Sequence, residues 1–356
     1  MASFRETLSL FKTRIDAEIG QYFDRVIEKT EKEDKVITDA LSYVRQTILS
    51  GGKRIRPSLM YYGYLSAGGS DREKMFPVCV SIELVHTFLL MHDDIIDRDD
   101  MRHGIPTVHS HYAKKGRRLF SRTDADHFGL SMGLIVGDMI AALGNQIIFN
   151  APFPPRRILH ALDKLQSIVS YTVVGEVEDI YIEYRKRATD EEILRMYTNK
   201  TAKYTIEGPL HLGAILAGAD QPLLDSLSAF STPLGIAFQI QDDSIGIFGA
   251  EKKIGKPVGS DIREGKVTLL VNAALRRANS GQKQRINQLL GDEFVGAREI
   301  SEFQTLMMDT GAFAEVTELA RANIEEAKRV IEACQMSVEA KDFLLGMADY
   351  MMVREI

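Results

Sequence analysis

Cysteine is scarce in this chain: 356 residues hold two, Cys79 and Cys334. They show no metal-ligand spacing and are too few for a disulfide framework, so each is read as a small core residue in a reducing compartment. A basic tail and any long like-charge block are also missing. With a net charge of −6, nucleic acid is not an expected partner. No apolar run reaches the about 18 residues of a membrane-spanning helix; the nearest, Met132 to Gly144, is broken by Asp138. Residues Met1 to Thr30 scatter charges among apolar positions, without the continuous apolar stretch of a signal peptide. These absences lead to the expectation of a soluble cytoplasmic protein with no transmembrane segment. Strand alternation, Ser/Pro-rich linkers and short internal repeats are absent too.

What remains is helical periodicity. Phe4, Leu8, Phe11 and Ile15 space as one face of a first helix, and Val36, Ala40, Tyr43, Val44 and Ile48 as a face of the next. Pro57 can open a helix that Gly68-Gly69-Ser70 ends, and Asp71 is placed to cap a long apolar helix running into Asp97. Pro152, Pro154 and Pro155 precede a helix extending toward Arg187. Thr189 and Glu192 form a capping-box pattern before the helical segment that carries Lys200, and Pro222 opens a helix reaching Ile245. Beyond Gly265, four or five more helices are expected. Ala113 to His127 reads as a polar loop or frayed helix end. The predicted architecture is all-α, with residues 1–356 forming a single helical domain around a central cavity.

Two acid-rich clusters interrupt helices that would otherwise pass for core: Leu90-Met91-His92-Asp93-Asp94-Ile95-Ile96-Asp97 and Phe238-Gln239-Ile240-Gln241-Asp242-Asp243-Ser244. Carboxylates are rarely buried without a partner, and Asp93 and Asp97, at i and i+4, repel across one helix face. A cation is therefore expected at the clusters. All-oxygen ligands select a hard ion, and Mg²⁺ bridging to substrate phosphates is the usual case.

Basic groups accompany these acids. Gly51-Gly52-Lys53-Arg54-Ile55-Arg56-Pro57 combines two glycines, which let backbone approach an anion, with Lys53 and Arg56 at a helix start. It is not a Walker A loop, because no Ser or Thr follows the lysine. His86 lies two turns before Asp93 on the same helix, while Arg102, Lys200, Lys256 and Lys266 flank the clusters. Metal and ammonium together neutralise a diphosphate.

The segments GGKRIRP, ExxHxxxLxHDDxxD from Glu83 to Asp97, RxG at Arg102 to Gly104, KT at Lys200-Thr201, FQxxDD from Phe238 to Asp243, and GKPVGSDIREGK from Gly255 to Lys266 resemble those of the isoprenyl diphosphate synthases, the chain-elongating trans-prenyltransferases. By that resemblance Asp93, Asp97 and Asp242 hold Mg²⁺, with Asp94 and Asp243 in support. Arg102, Lys200, Lys256 and Lys266 hold the allylic diphosphate. Lys53, Arg56 and His86 hold isopentenyl diphosphate, with His103 where an arginine is common. Thr201 and Gln239 offer oxygen dipoles to the allylic cation. The resemblance also implies a homodimer.

Product length is expected to depend on Phe88 and Leu89, one turn below Asp93, with Val85 and then Ser81 and Ile82 deeper. Phe88 with Leu89 resembles the archaeal-type geranylgeranyl synthases; farnesyl or longer products are the alternatives. Two further departures stand out: Gly246 where the fuller family pattern has a third aspartate, and Glu176 where a glutamine is frequent. A terpene cyclase or head-to-head condensing enzyme needs no second diphosphate site of the Lys53, Arg56 and His86 kind. A non-catalytic subunit of a heteromeric prenyl synthase, the lesser alternative, is expected to lose acidic ligands or lysines, and only Gly246 points that way.

Overall fold

Polar residues just ahead of apolar runs set where the helices begin. In the computed structural model, which describes residues 3–121, 124–249 and 259–352, Ser3 and Glu6 close a capping box on α1 (Phe4–Glu31). Asp34 caps α2 (Lys35–Leu49) and Asp71 caps α4 (Arg72–Ile96). Between the last two, α3 (Ile55–Ser66) is almost wholly buried. Each cap satisfies backbone donors that the first helical turn leaves open.

The chain divides into two compact units, Met1–Leu162 with Gly213–Gly218, and Asp163–Leu212 with Ala219–Ile356. In the first, α1 turns Leu8, Phe11 and Ile15 inward as its spacing predicts, and α4 packs on α1, α3 and α6 (Ala125–Phe149). Helix α6 comes close because glycines meet α4: a Cβ on Gly137 would lie 2.7 Å from His92 Nε2, and one on Gly144 would lie 3.0 Å from the Ser81 carbonyl.

Several expectations change here. Val36 is 63% exposed, off the inward face that Ala40, Tyr43, Val44 and Ile48 share, because it sits in the first turn of α2 beside its cap. Ala113 to Leu119 is not loop: it completes α5 (Val108–Leu119), and α6 is already under way at Ala125. Its lysines and arginines decorate an amphipathic helix whose Tyr112, Ala113 and Gly116 are buried. A short antiparallel ladder, β1 (Met101–Arg102) with β2 (Ile105–Pro106), also exists where none was expected. It is too short for alternation to register, and its turn uses two left-handed residues, His103 at φ 51° and Gly104 at φ 79°. Finally, α4 and α6 each hold an 18-residue window apolar enough to cross a membrane, at mean hydropathy 1.5 and 1.6. The contiguous-run criterion missed them because isolated polar residues are averaged out. Of those windows 61% is buried in α4 and 33% in α6.

Further along the chain α7 (Pro155–Arg185) and α8 (Asp190–Tyr197) precede a π-helix (Thr198–Glu207), then α9 (Gly208–Ala217) and α10 (Gln221–Phe248). Thr189 and Glu192 close the expected capping box on α8. The Lys200 segment is thus a wider π coil, not the expected α-helix. Two glycines grip it: a Cβ on Gly175 would lie 2.4 Å from the Lys200 backbone nitrogen, and one on Gly235 would lie 2.3 Å from Ala202 Cα. After α11 (Ser260–Glu264) come five more helices, α12 (Leu269–Arg277), α13 (Ser280–Leu289), α14 (Ala297–Asp309), α15 (Ala312–Ala333) and α16 (Val338–Met352). Helix α10 lies against α15 and the π-helix.

Candidate active site

The charged side chains in the last turn of α4 are all acids. Asp93, Asp94 and the C-cap Asp97 stand where no basic residue fills the last turn. The helix dipole there favours cations, so three carboxylates at this end raise the energy unless positive charge compensates. Part of it is Arg102, on β1. Its Nε donates to Asp94 Oδ1 at 2.6 Å, and its Nη2 lies 2.5 Å from Asp94, 3.6 Å from Asp99 and 3.9 Å from Asp93. Asp94 is buried, and burial pushes its carboxyl up to about 6 although Arg102 pulls it down. Asp93 and Asp97 are half-buried and more open. Among the described residues no three acidic, histidine or cysteine groups close a metal cage. Two carboxylates without a cage suit Mg²⁺, which keeps waters and completes its shell with substrate phosphates. The donor set fits the expected ion.

The glycine-rich loop behaves differently from the expectation that its glycines admit an anion. A Cβ on Gly51 would lie 2.5 Å from the His103 ring, and one on Gly52 would lie 2.6 Å from Arg54 Nη1. The glycines make room for the protein's own side chains. Lys53 is exposed and Arg56 half-buried. Arg56 Nη1 lies 3.0 Å from His86 Nε2; a guanidinium has no acceptor, so His86 accepts. Burial, with Arg56 and Arg102 next, holds His86 well below the usual imidazole range. It is therefore a neutral acceptor that aims Arg56. Partial burial, then Arg102 and Arg54, also lowers the His103 pKa, so His103 adds no full charge at neutral pH.

In the second unit the π-helix presents Lys200, whose ammonium lies 2.8 Å from Glu176 and 2.7 Å from Asp179. Glu176, the departure from glutamine, thus supplies a counter-charge. Next to it Thr201 Oγ1 donates to Gln239 Oε1 at 2.5 Å. Gln239 Nε2 in turn donates to Asp243 Oδ1 at 2.8 Å, and the buried Tyr197 hydroxyl donates to Asp243 Oδ2. With both oxygens engaged, Asp243 is buried and burial pushes it up to about 7, against those two hydrogen bonds. Asp242, beside it, is half-buried. Lys266 lies 2.9 Å from Glu264 and 3.8 Å from Asp261. At Gly246 a Cβ would lie 2.0 Å from Asp261 Oδ2, so a carboxylate from α11 occupies the space a side chain there would need. Lys256 lies outside the described residues.

The product-length candidates separate by depth. Phe88 and Leu89 are half-exposed. Phe88 meets His92 edge-to-face, centroids 4.9 Å apart, and His92 Nε2 is 3.2 Å from the Leu134 carbonyl of α6. Ser81 and Val85 are fully buried where Gly144 brings α6 onto α4. Residues the sequence did not single out are Arg54, Tyr197, Asp179 and Asp261. Asp179 is legible in hindsight, three residues after Glu176 on one helix face; Tyr197 carries no such signal.

Comparison with known proteins supplies independent findings. The polyprenyl synthetase family profile matches residues 35–307. The chain is 32% identical over 311 residues to a geranylgeranyl diphosphate synthase of Methanosarcina mazei, covering 87% of this chain and 88% of that one. It is 36% identical over 253 residues to a geranylgeranyl diphosphate synthase of Sulfolobus acidocaldarius, covering 70% and 71%. Among solved structures it is similar to a geranylgeranyl pyrophosphate synthase from Corynebacterium glutamicum complexed with isoprenyl diphosphate and magnesium. That match has TM-score 0.91 and 30% identity, over 97% of this chain and 99% of that one.

Proposed function

The chain belongs to the polyprenyl synthetase family and is a trans-prenyltransferase, and from that premise we propose that it condenses isopentenyl diphosphate with an allylic diphosphate to make geranylgeranyl diphosphate. The observation that carries the proposal is the all-acid end of α4 beside an exposed lysine and an oriented arginine: one cluster for a metal-held leaving group, one for a second anion. Asp93, Asp97 and Asp242 would hold Mg²⁺, the ion named for the similar Corynebacterium protein. When bound, the metal neutralises the diphosphate and makes it a better leaving group.

The chain's own residues do the rest. Lys200, Lys266, Lys256 and Arg102 neutralise the allylic diphosphate as its C–O bond breaks. Thr201, with its hydroxyl hydrogen given to Gln239, turns oxygen lone pairs outward toward the developing cation. Lys53 and Arg56, the latter aimed by His86, hold isopentenyl diphosphate so that its double bond attacks and the new C–C bond forms; the departing diphosphate takes the proton. Catalysis on this reading is positioning and fixed charge. We read residues 1–356 as one catalytic domain acting in the cytoplasm, in line with two free thiols.

A C₂ homodimer completes the proposal. Helix α6 exposes Leu134, Ile135 and Phe149, and α7 exposes Val173, Val177, Tyr181 and Tyr184, large apolar side chains of the kind an interface between copies covers.

The test is incubation with isopentenyl diphosphate, each allylic primer and Mg²⁺, followed by chain-length analysis. The expected product is geranylgeranyl diphosphate, and Phe88→Ala should lengthen it without abolishing condensation. No condensation with any primer would overturn the proposal, and an unchanged product in Phe88→Ala would remove Phe88 as the floor.

A further inference from the structure

Three basic residues stand in Gly51-Gly52-Lys53-Arg54-Ile55-Arg56, and the middle one points the opposite way from its neighbours. Lys53 is exposed and Arg56 half-buried, while the Arg54 side chain is 2% exposed. Its guanidinium is spent on the protein: Nε donates to Asp16 of α1 at 2.7 Å, Nη1 to Glu83 of α4 at 2.6 Å, and Nη2 to the Ile48 carbonyl near the end of α2 at 2.6 Å. The backbone is equally committed. Arg54 sits in the left-handed region at φ 55°, ψ 37° as the N-cap of α3, a conformation that persists only where surroundings over-determine it. Gly52, at φ 93°, must lack a side chain because a Cβ would lie 2.6 Å from Arg54 Nη1.

From this geometry we propose that Arg54 is a positioning residue: one guanidinium locks α1, α2 and α4 to the loop and so fixes where Lys53 and Arg56 present their charges to the isopentenyl diphosphate. It does not touch that substrate itself. This rests on the diphosphate-loop reading above and adds to it. Residues 53 and 56 supply the charge, and residue 54, with Asp16 and Glu83, supplies the aim. The three-way fork is what selects arginine here, since a lysine ammonium is a point charge that cannot span acceptors in three directions.

The experiment measures KM for isopentenyl diphosphate and for the primer in the full chain, with Lys53→Ala run alongside. Arg54→Lys should raise KM for isopentenyl diphosphate about ten- to a hundredfold, the scale of a misplaced binding group. KM for the primer and kcat at saturation should stay within about twofold. A parallel rise in both KM values, or a fall in kcat alone, would mean a general scaffold role and would overturn the proposal, as would wild-type kinetics. If Arg54→Lys loses its cooperative thermal transition, Asp16→Asn decides. It leaves the Glu83 and Ile48 contacts in place, and it should raise KM for isopentenyl diphosphate alone by severalfold; no change sinks the proposal. An effect of Lys53→Ala without one of Arg54→Lys rejects only this inference. No effect of Lys53→Ala rejects the loop assignment beneath it.

Discussion

At the scale of single residues, the cost of the site is concentrated in carboxylates placed against their electrostatic preference. Asp93 and Asp97 repel across one turn and sit at the negative end of α4. Evolution of a stable helix alone would not put them there. Asp93→Ala or Asp97→Ala should therefore cut turnover by about two to three orders of magnitude, as loss of a fixed electrostatic contact to a reacting group does. The thermal midpoint should hold or rise slightly, since an i, i+4 like-charge pair is worth only about 0.2–0.5 kcal/mol. Paired turnover and melting measurements check both halves. A loss of activity that tracks a loss of stability would mean that these acids are structural.

At the scale of elements, the π-helix carries a lysine and a threonine, adjacent in sequence, to partners on two different helices. Lys200 reaches Glu176 and Asp179 on α7, while Thr201 turns to Gln239 on α10. The wider coil survives because Gly175 and Gly235 let both neighbouring helices reach its backbone, and π segments of this kind gather at functional sites. Gly235→Ala puts a methyl 2.3 Å from Ala202 Cα, where backbone cannot yield. Overpacking of about 1–3 kcal/mol should outweigh the helix-propensity gain of about 1 kcal/mol, lowering the thermal midpoint and raising KM for the primer. Gly281→Ala is the control: its nearest neighbour would be Asn279 Oδ1 at 3.5 Å, so the propensity gain should appear as a higher midpoint.

At the scale of the whole molecule, the unburied side of α6 is the feature that the chain alone does not account for. Only 33% of its apolar window is covered, against 61% for α4, which the same measure marks as apolar but which the fold buries. A homodimer that covers this face should scatter light at twice the 39.9 kDa chain mass across micromolar concentrations. Ile135→Glu, on that face at 68% exposure, should shift the mass toward the monomer. A monomer mass for the unmodified protein without detergent would reject the dimer, and detergent-dependent solubility would assign the face to lipid.

The sequence by itself determined most of the helices and the family-level activity. The capping box at Thr189, the cap at Asp71 and apolar spacing in α1 are local, so they read directly from neighbouring residues. The acid clusters were legible because charge inside an apolar helical run is costly without a cation. Tertiary structure decided what depends on contacts between distant residues. Arg54 drew no separate reading from the sequence; its task appears only when the fold brings it to Asp16 and Glu83, 38 and 29 residues away. The second half of α5, from Ala113, looked like loop or a frayed helix end because its composition is polar, and only its packing against α6 shows the buried side. Lys200 was expected on an α-helix, since the π coil is held by two glycines on other helices rather than by its own sequence. Local free energies are written in local sequence; the placement of a buried charge is set by whichever opposite charges the fold brings to it.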